Sequence, residues 1–258
     1  MFELSTNIEY MFLDAGVELE QRIEAAAKIG IRKVEMFSPE NRNAKSLSIA
    51  LRDNNVMMWT VLNDPRTILA DARNHPQFVD NFKRTAQFAA ELGCPHVVCG
   101  SGTGLPFIPR EPSLQAAADA IASVVDIAAD HDLVILLEAV NARVDHPGVL
   151  FSATSDSYAV AQRVNSPQVK ILYDLYHSVA EGESPLAVFP EVVDRVGHVQ
   201  LADFPGRGEP GSGGLDWASL LRAIGQAGYD GVIGVECHPT VSSTTNALER
   251  IRSLVLES

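Results

Sequence analysis

Eight times along this chain a short apolar run precedes a helix-length stretch, and that repetition leaves few folds open. The runs are Phe2–Thr6, Arg32–Met36, Val56–Leu62, His96–Cys99, Leu133–Val140, Val169–Tyr173, Val196–Ala202 and Gly231–Glu236. Between and after them the spacing predicts helices over Val17–Ile29, Ala44–Asn54, Pro76–Leu92, Ser113–Ala129, Ser155–Val164, Ser184–Arg195, Asp216–Gly228 and Ser243–Leu256. Gly30 and Gly93 stand where helices should stop, and Asp216 is placed to cap one. The strands are near-continuous rather than alternating in polarity, as expected when both faces of a parallel sheet are covered. Strand-helix units in this number and length predict an α/β fold, a single (β/α)8 TIM barrel. With 46% apolar residues and no Ser/Gly linker, one domain over residues 1–258 is expected.

Formal charge is −13, from 33 acidic against 20 basic residues, and no Lys/Arg run interrupts it. That balance argues against a nucleic-acid partner, while one or two local cations would still hold an anionic small molecule. The first residues, MFELSTNIEYMF, have no basic segment leading into an apolar one, and runs such as Leu133–Leu137 are too short to span a bilayer. A cytoplasmic protein with no membrane partner is expected. Cys94, Cys99 and Cys237 lack CxxC spacing, which suggests buried thiols rather than disulfides or a thiolate zinc site. The Gly100-Ser101-Gly102-Thr103-Gly104 turn lacks the lysine of a phosphate loop and reads as an active-site loop or a plain connector.

In such a barrel the chemistry sits at the C-terminal ends of the strands. Strand five ends near Glu138, strand six at Asp174, strand seven near Gln200 and strand eight at Glu236. Period-two geometry sends all four inward at similar depth, so four consecutive strands present oxygen ligands to one point. Any one acid there would be explained as a cap or a salt bridge; four in register point to a shared metal site. Three carboxylates and an amide suit Mg²⁺ or Mn²⁺ better than Zn²⁺.

The motifs EAVN (Glu138–Asn141), YDLYH (Tyr173–His177), GHVQLAD (Gly197–Asp203), PGRGEPGSG (Pro205–Gly213) and VECHP (Val235–Pro239) with its preceding glycine carry a resemblance. Over the whole length the chain resembles the hydroxypyruvate isomerase family within the xylose isomerase-like barrels. The resemblance implies that Glu138, Asp174, Gln200 and Glu236 bind the metal. It also implies that Glu138 and Glu236 are the acid/base pair converting hydroxypyruvate to tartronate semialdehyde through an enediolate. Isomerisation of a 2-oxo-tetronate or 3-epimerisation of a ketose would use the same glutamates. Dehydration of a keto-inositol, a hydrolase resembling the apurinic endonucleases of this barrel, and a non-catalytic binding barrel are further alternatives. Four residues are candidates for holding a small hydroxy-keto acid or sugar: Asn63, His177, His198 and Arg207. His198 would alternatively be a core histidine, and Arg207, the candidate for a substrate carboxylate, would alternatively pair with Glu209. Glu35 is expected in a structural salt bridge. Relatives often self-associate, so a homo-oligomer is compatible with the sequence. After strand three the chain reads Asn63-Asp64-Pro65-Arg66-Thr67 where relatives carry Asn-x-Pro-Ala-Gly-Asp-Trp, and Cys237 stands for a usual Tyr.

Overall fold

The apolar runs become eight strands: β1 (Glu3–Asn7), β2 (Lys33–Met36), β3 (Met57–Leu62), β4 (His96–Cys99), β5 (Val134–Glu138), β6 (Val169–Asp174), β7 (Val196–Leu201) and β8 (Val232–Val235). They pair in sequence order, all parallel, and β8 returns to β1 through Glu3↔Val232 to Thr6↔Val235, closing the barrel. The computed structural model describes residues 2–241 and 243–257; of the expected domain, Met1, Ser242 and Ser258 lie outside the described residues. The protein is a single (β/α)8 barrel in its architecture.

Among the described residues, ten α-helices surround the strands: α1 (Leu19–Lys28), α2 (Ala44–Asp53), α3 (His75–Leu92), α4 (Arg110–Ala122), α5 (Val125–Asp130), α6 (Thr154–Val164), α7 (Leu175–Glu181), α8 (Pro185–Val192), α9 (Trp217–Gln226) and α10 (Thr244–Glu257). Local chemistry sets several of their ends. The Asn43 side chain accepts from Ser46 N at the start of α2, Asp216 does the same for Ser219 N at α9, and Gly93 takes φ 66° after α3. The helix expected over Ser113–Ala129 is instead two, broken at Ser123-Val124, and the segment after β6 carries α7 as well as α8.

Two bulges interrupt the ladders. Trp59 is extra between Met58↔Val34 and Thr60↔Glu35, and Gly197 is extra between Ile171↔Val196 and Leu172↔His198. Inside the barrel one side is apolar, where Val98, Leu136 and Leu172 pack with Leu62 and Val134. The other side is polar and fully buried: Ser5, Glu35, Thr60 and His198 share hydrogen bonds across β1, β2, β3 and β7.

Candidate active site

Strand ends deliver the acids. Glu138 is the last residue of β5, Asp174 the last of β6, Gln200 the penultimate of β7, and Glu236 follows β8 with its N–H donated to Leu201 O at 3.1 Å. Asp174 also caps α7, its Oδ1 accepting from His177 N at 3.0 Å. Glu138, Gln200 and Glu236 border a cavity of about 590 Å³, with His177 and Arg207 on the same side and Asp174 behind them. The opposite wall is built from Leu62, Asp64, Arg66, Thr67 and the Gly100–Thr103 turn, the loops after β3 and β4.

Hydrogen bonds fix the orientation of the amide. Gln200 Nε2 donates to Glu35 Oε2 at 2.7 Å and to Glu236 Oε2 at 3.0 Å. With the nitrogen so committed, Gln200 Oε1 is left buried with no partner among the described residues. A buried carbonyl oxygen without a donor costs free energy unless a cation or donor meets it. Like charges crowd around it. Burial, then Glu236 and Asp174, push the Glu138 carboxyl well above its ordinary range, and burial with Asp174 and Glu35 pushes Glu236 up to about 7. Asp174 is raised too, by burial, with Arg207 opposing. The Glu138 and Asp174 carboxylates with the orphaned Gln200 oxygen form a donor set that fits a divalent cation, while Glu236 stands beside it with its oxygens accepting from Arg207, Asn7 and Gln200.

His177 stands with Glu138 and Asp174, the three offering ligand atoms within 4.8 Å of one another. Its Nδ1, however, accepts from Asn141 N at 3.2 Å and Nδ2 at 2.7 Å. Burial and Arg207 hold the ring neutral, so the proton sits on Nε2, which then donates rather than ligates.

Arg207 lies in the loop after β7 with φ 56°. Its guanidinium is 2.7 Å from Glu236 Oε1 and 3.8 Å from Asp174 Oδ2, and flanked by the rings of Tyr10 and Tyr176 at 5.5 and 5.0 Å. The alternative pair with Glu209 does not form. Glu209 instead accepts from Thr240 N at 2.8 Å and pairs with Arg250 at 3.4 Å.

Two expected substrate contacts are corrected. His198 lies beneath the cavity, wholly buried, with Trp59 Nε1 donating to its Nδ1 at 3.3 Å and its own Nε2 donating to Glu35 at 2.8 Å, so no ring nitrogen is left for a ligand. Asn63 turns away toward α3, where its Oδ1 accepts from Thr85 at 3.1 Å. Glu35 is held structurally, by hydrogen bonds from His198, Ser5 and Gln200 rather than by a salt bridge to a Lys or Arg: burial opposes its charge, but these groups bring its pKa below the ordinary value. Asp203, another strand-end acid, is spent on its own loop, accepting from Phe204 N, Gly211 N and Trp217 Nε1 at 2.7–2.8 Å. Sequence reasoning passed over Asn7, which donates to Glu236 Oε2 at 3.1 Å; its place at the end of β1 was the available signal. Arg66, from the loop after β3 whose sequence departs from that of relatives, lines the cavity, as does His146.

A 2-oxo-tetronate isomerase of Pectobacterium atrosepticum is 26% identical over 246 residues, covering 93% of each chain. A hydroxypyruvate isomerase of Escherichia coli is 26% identical over 255 residues, covering 96% of each. Among solved structures, a family 2 AP endonuclease from Brucella melitensis superposes with a TM-score of 0.90 at 25% identity, covering 98% of this chain and 99% of that one. The sequence model of the xylose isomerase-like TIM barrel matches residues 23–254, and the chain belongs to that family.

Proposed function

We propose that the protein is an isomerase that moves a carbonyl between adjacent carbons of a small hydroxy-keto acid, hydroxypyruvate to tartronate semialdehyde in the simplest case. The observation that carries this is the pair Glu138 and Glu236 on either side of Asp174 and Gln200, both with raised pKa and both on the cavity wall. Carboxyls tuned upward are suited to exchange protons with carbon acids near neutral pH. Arg207 at 2.7 Å favours the charged form of Glu236, which suits it to be the base; Glu138 has no such ion pair among the described residues and stands on the other side of Asp174 and Gln200 to return the proton. Glu236 therefore takes the proton from the hydroxyl-bearing carbon, the hydroxyl proton passes to the former carbonyl oxygen, and Glu138 gives a proton to the neighbouring carbon. The His177 Nε2–H and Asn7 sit where they orient the substrate oxygens and the base. A divalent ion held by Glu138, Asp174, Gln200 and Glu236, Mg²⁺ or Mn²⁺ for an all-oxygen set, supplies electrostatic stabilisation of the charge that develops on the two oxygens.

A four-carbon 2-oxo acid, the type of substrate named for the Pectobacterium relative, is the second reading; the cavity of about 590 Å³ supports it by leaving room beyond three carbons. Proton NMR of the metal-loaded enzyme with hydroxypyruvate in D₂O tests the proposal. Deuterium entry and tartronate semialdehyde are expected, reduced by about a hundredfold or more in Glu236→Gln. Fully loaded protein that gives neither exchange nor product with three- or four-carbon acids sinks it.

A further inference from the structure

The cavity holds two arginines with opposite circumstances. Arg207 is largely committed to the acids: its side chain is 12% exposed, one terminal nitrogen is paired to Glu236 and close to Asp174, and two tyrosine rings enclose it, leaving its Nε as a buried donor without a partner among the described residues. Arg66 makes no hydrogen bond or ion pair through its guanidinium with any described residue, yet its side chain lines the same cavity. It comes from the loop after β3, and because the strands close in sequence order, β3 and β4 lie across the barrel from β7 and β8.

The root of Arg66 is fixed even though its head is free. Asp64 Oδ1 accepts from Arg66 N at 3.2 Å, Asn81 Nδ2 donates to Pro65 O at 2.9 Å, and Thr67 is buried. The stem passes over Gly100, at the end of β4, where a Cβ would meet its Cδ at 3.9 Å. The charge is near enough to act on Glu138, His146 and His177. A cation held in this way, facing the acidic ligand end across an open cavity, is suited to a ligand that is anionic at one end and rich in hydroxyl and keto oxygens at the other.

We propose that Arg66, rather than Arg207, binds the carboxylate of the substrate, and that the enzyme therefore selects monoanionic hydroxy-keto acids over neutral ketoses of the same length. This rests on the isomerase reading only for which end of the ligand reacts. The Arg66 guanidinium, with no protein partner among the described residues, matches one carboxylate, and its planar fork meets two carboxylate oxygens at once, whereas the fork of Arg207 already meets Glu236. Against a formal charge of −13 for the whole chain, the local cation is the feature that admits an anion.

Calorimetric titration of the Mg²⁺-loaded protein with L-threonate, a four-carbon acid without a carbonyl to isomerise, gives a readout independent of turnover. Threonate should bind the native protein and lose about ten- to a hundredfold in affinity in Arg66→Ala, with Arg66→Lys between them. In parallel, the ratio of kcat/KM for hydroxypyruvate to that for the neutral ketose erythrulose should fall by a similar factor in Arg66→Ala, carried by KM. Equal threonate affinity in native protein and Arg66→Ala, or no binding to either, overturns the assignment. Arg66-dependent binding of glycerol 3-phosphate tighter than that of threonate overturns the carboxylate in favour of a phosphate. Arg66-dependent threonate binding in a protein that turns over no acid at all supports the subsite and sinks the isomerase reading, so the two fail separately.

Discussion

A methyl group at position 234 has nowhere to go. A Cβ there would run into Glu35 Oε1 and lie 2.8 Å from His198 Nε2, the two halves of the buried pair beneath the site. Gly234→Ala is expected to lower stability by about 1–3 kcal/mol, the usual range for overpacking, measured by urea unfolding. Because Glu35 also holds the Gln200 amide, metal affinity by calorimetry should fall about tenfold as well. An unchanged midpoint would mean that the pair relocates freely. The same residues mark how far a sequence reaches. Glu138, Asp174, Gln200 and Glu236 were legible because residue type and strand-end position were enough to place them. His198 was not, since period-two alternation tells which face a side chain takes but not whether it stops at the cavity or below it. Asn63 depends on Thr85, a partner 22 residues away on α3 that no local pattern announces.

Between β7 and α9 the chain wraps around one carboxylate. Asp203 accepts from the backbone of Phe204 and Gly211 and from Trp217 Nε1, and a Cβ on Gly213 would come within 2.5 Å of it, so the loop is drawn tight about this acid. Arg207 rides on that loop, its carbonyl accepting from His238 N at 2.8 Å. Asp203→Ala leaves several buried donors unpaired and is expected to cost on the order of 3 kcal/mol of stability by denaturant unfolding. Isomerase turnover should fall with it, because the cation that sets the charge of Glu236 loses its support; full turnover in a destabilised variant would separate the loop from the chemistry. At this scale strands were read well, being short apolar runs with few alternatives. The break between α4 and α5 was not, because alanine-rich sequence around Ser123-Val124 carries no glycine or proline and packing of the buried Val124 imposes it. The helix α7 did leave a trace, an Asp at its N-cap and Gly182 at its end with φ 91°.

At the scale of the whole molecule, three buried acids, Glu138, Asp174 and Glu236, meet at one end of the barrel and Arg207 offsets them only in part. Glu236 ionises near 7 when folded and near 4.5 in an unconstrained chain, so the folded state binds the proton more tightly. The resulting stability is fully present below about pH 4.5 and is lost as pH rises through about 7. In chelator, the melting temperature contribution from this group should therefore decline from pH 5 to pH 8, while added Mg²⁺ or Mn²⁺ should raise the melting temperature more at pH 8 than at pH 5 and release protons as it binds. A metal-induced gain independent of pH would remove these carboxylates from the metal's coordination. The closure of β8 onto β1 carries a consequence for biosynthesis. Asn7 from the first strand meets Glu236 from just beyond the last, so the site lies on the seam of the ring. A ribosome-bound chain that has not yet emitted β8 lacks Glu236 beside Asn7, so under the proposed mechanism the pair of glutamates is complete only once the last strand has closed the ring.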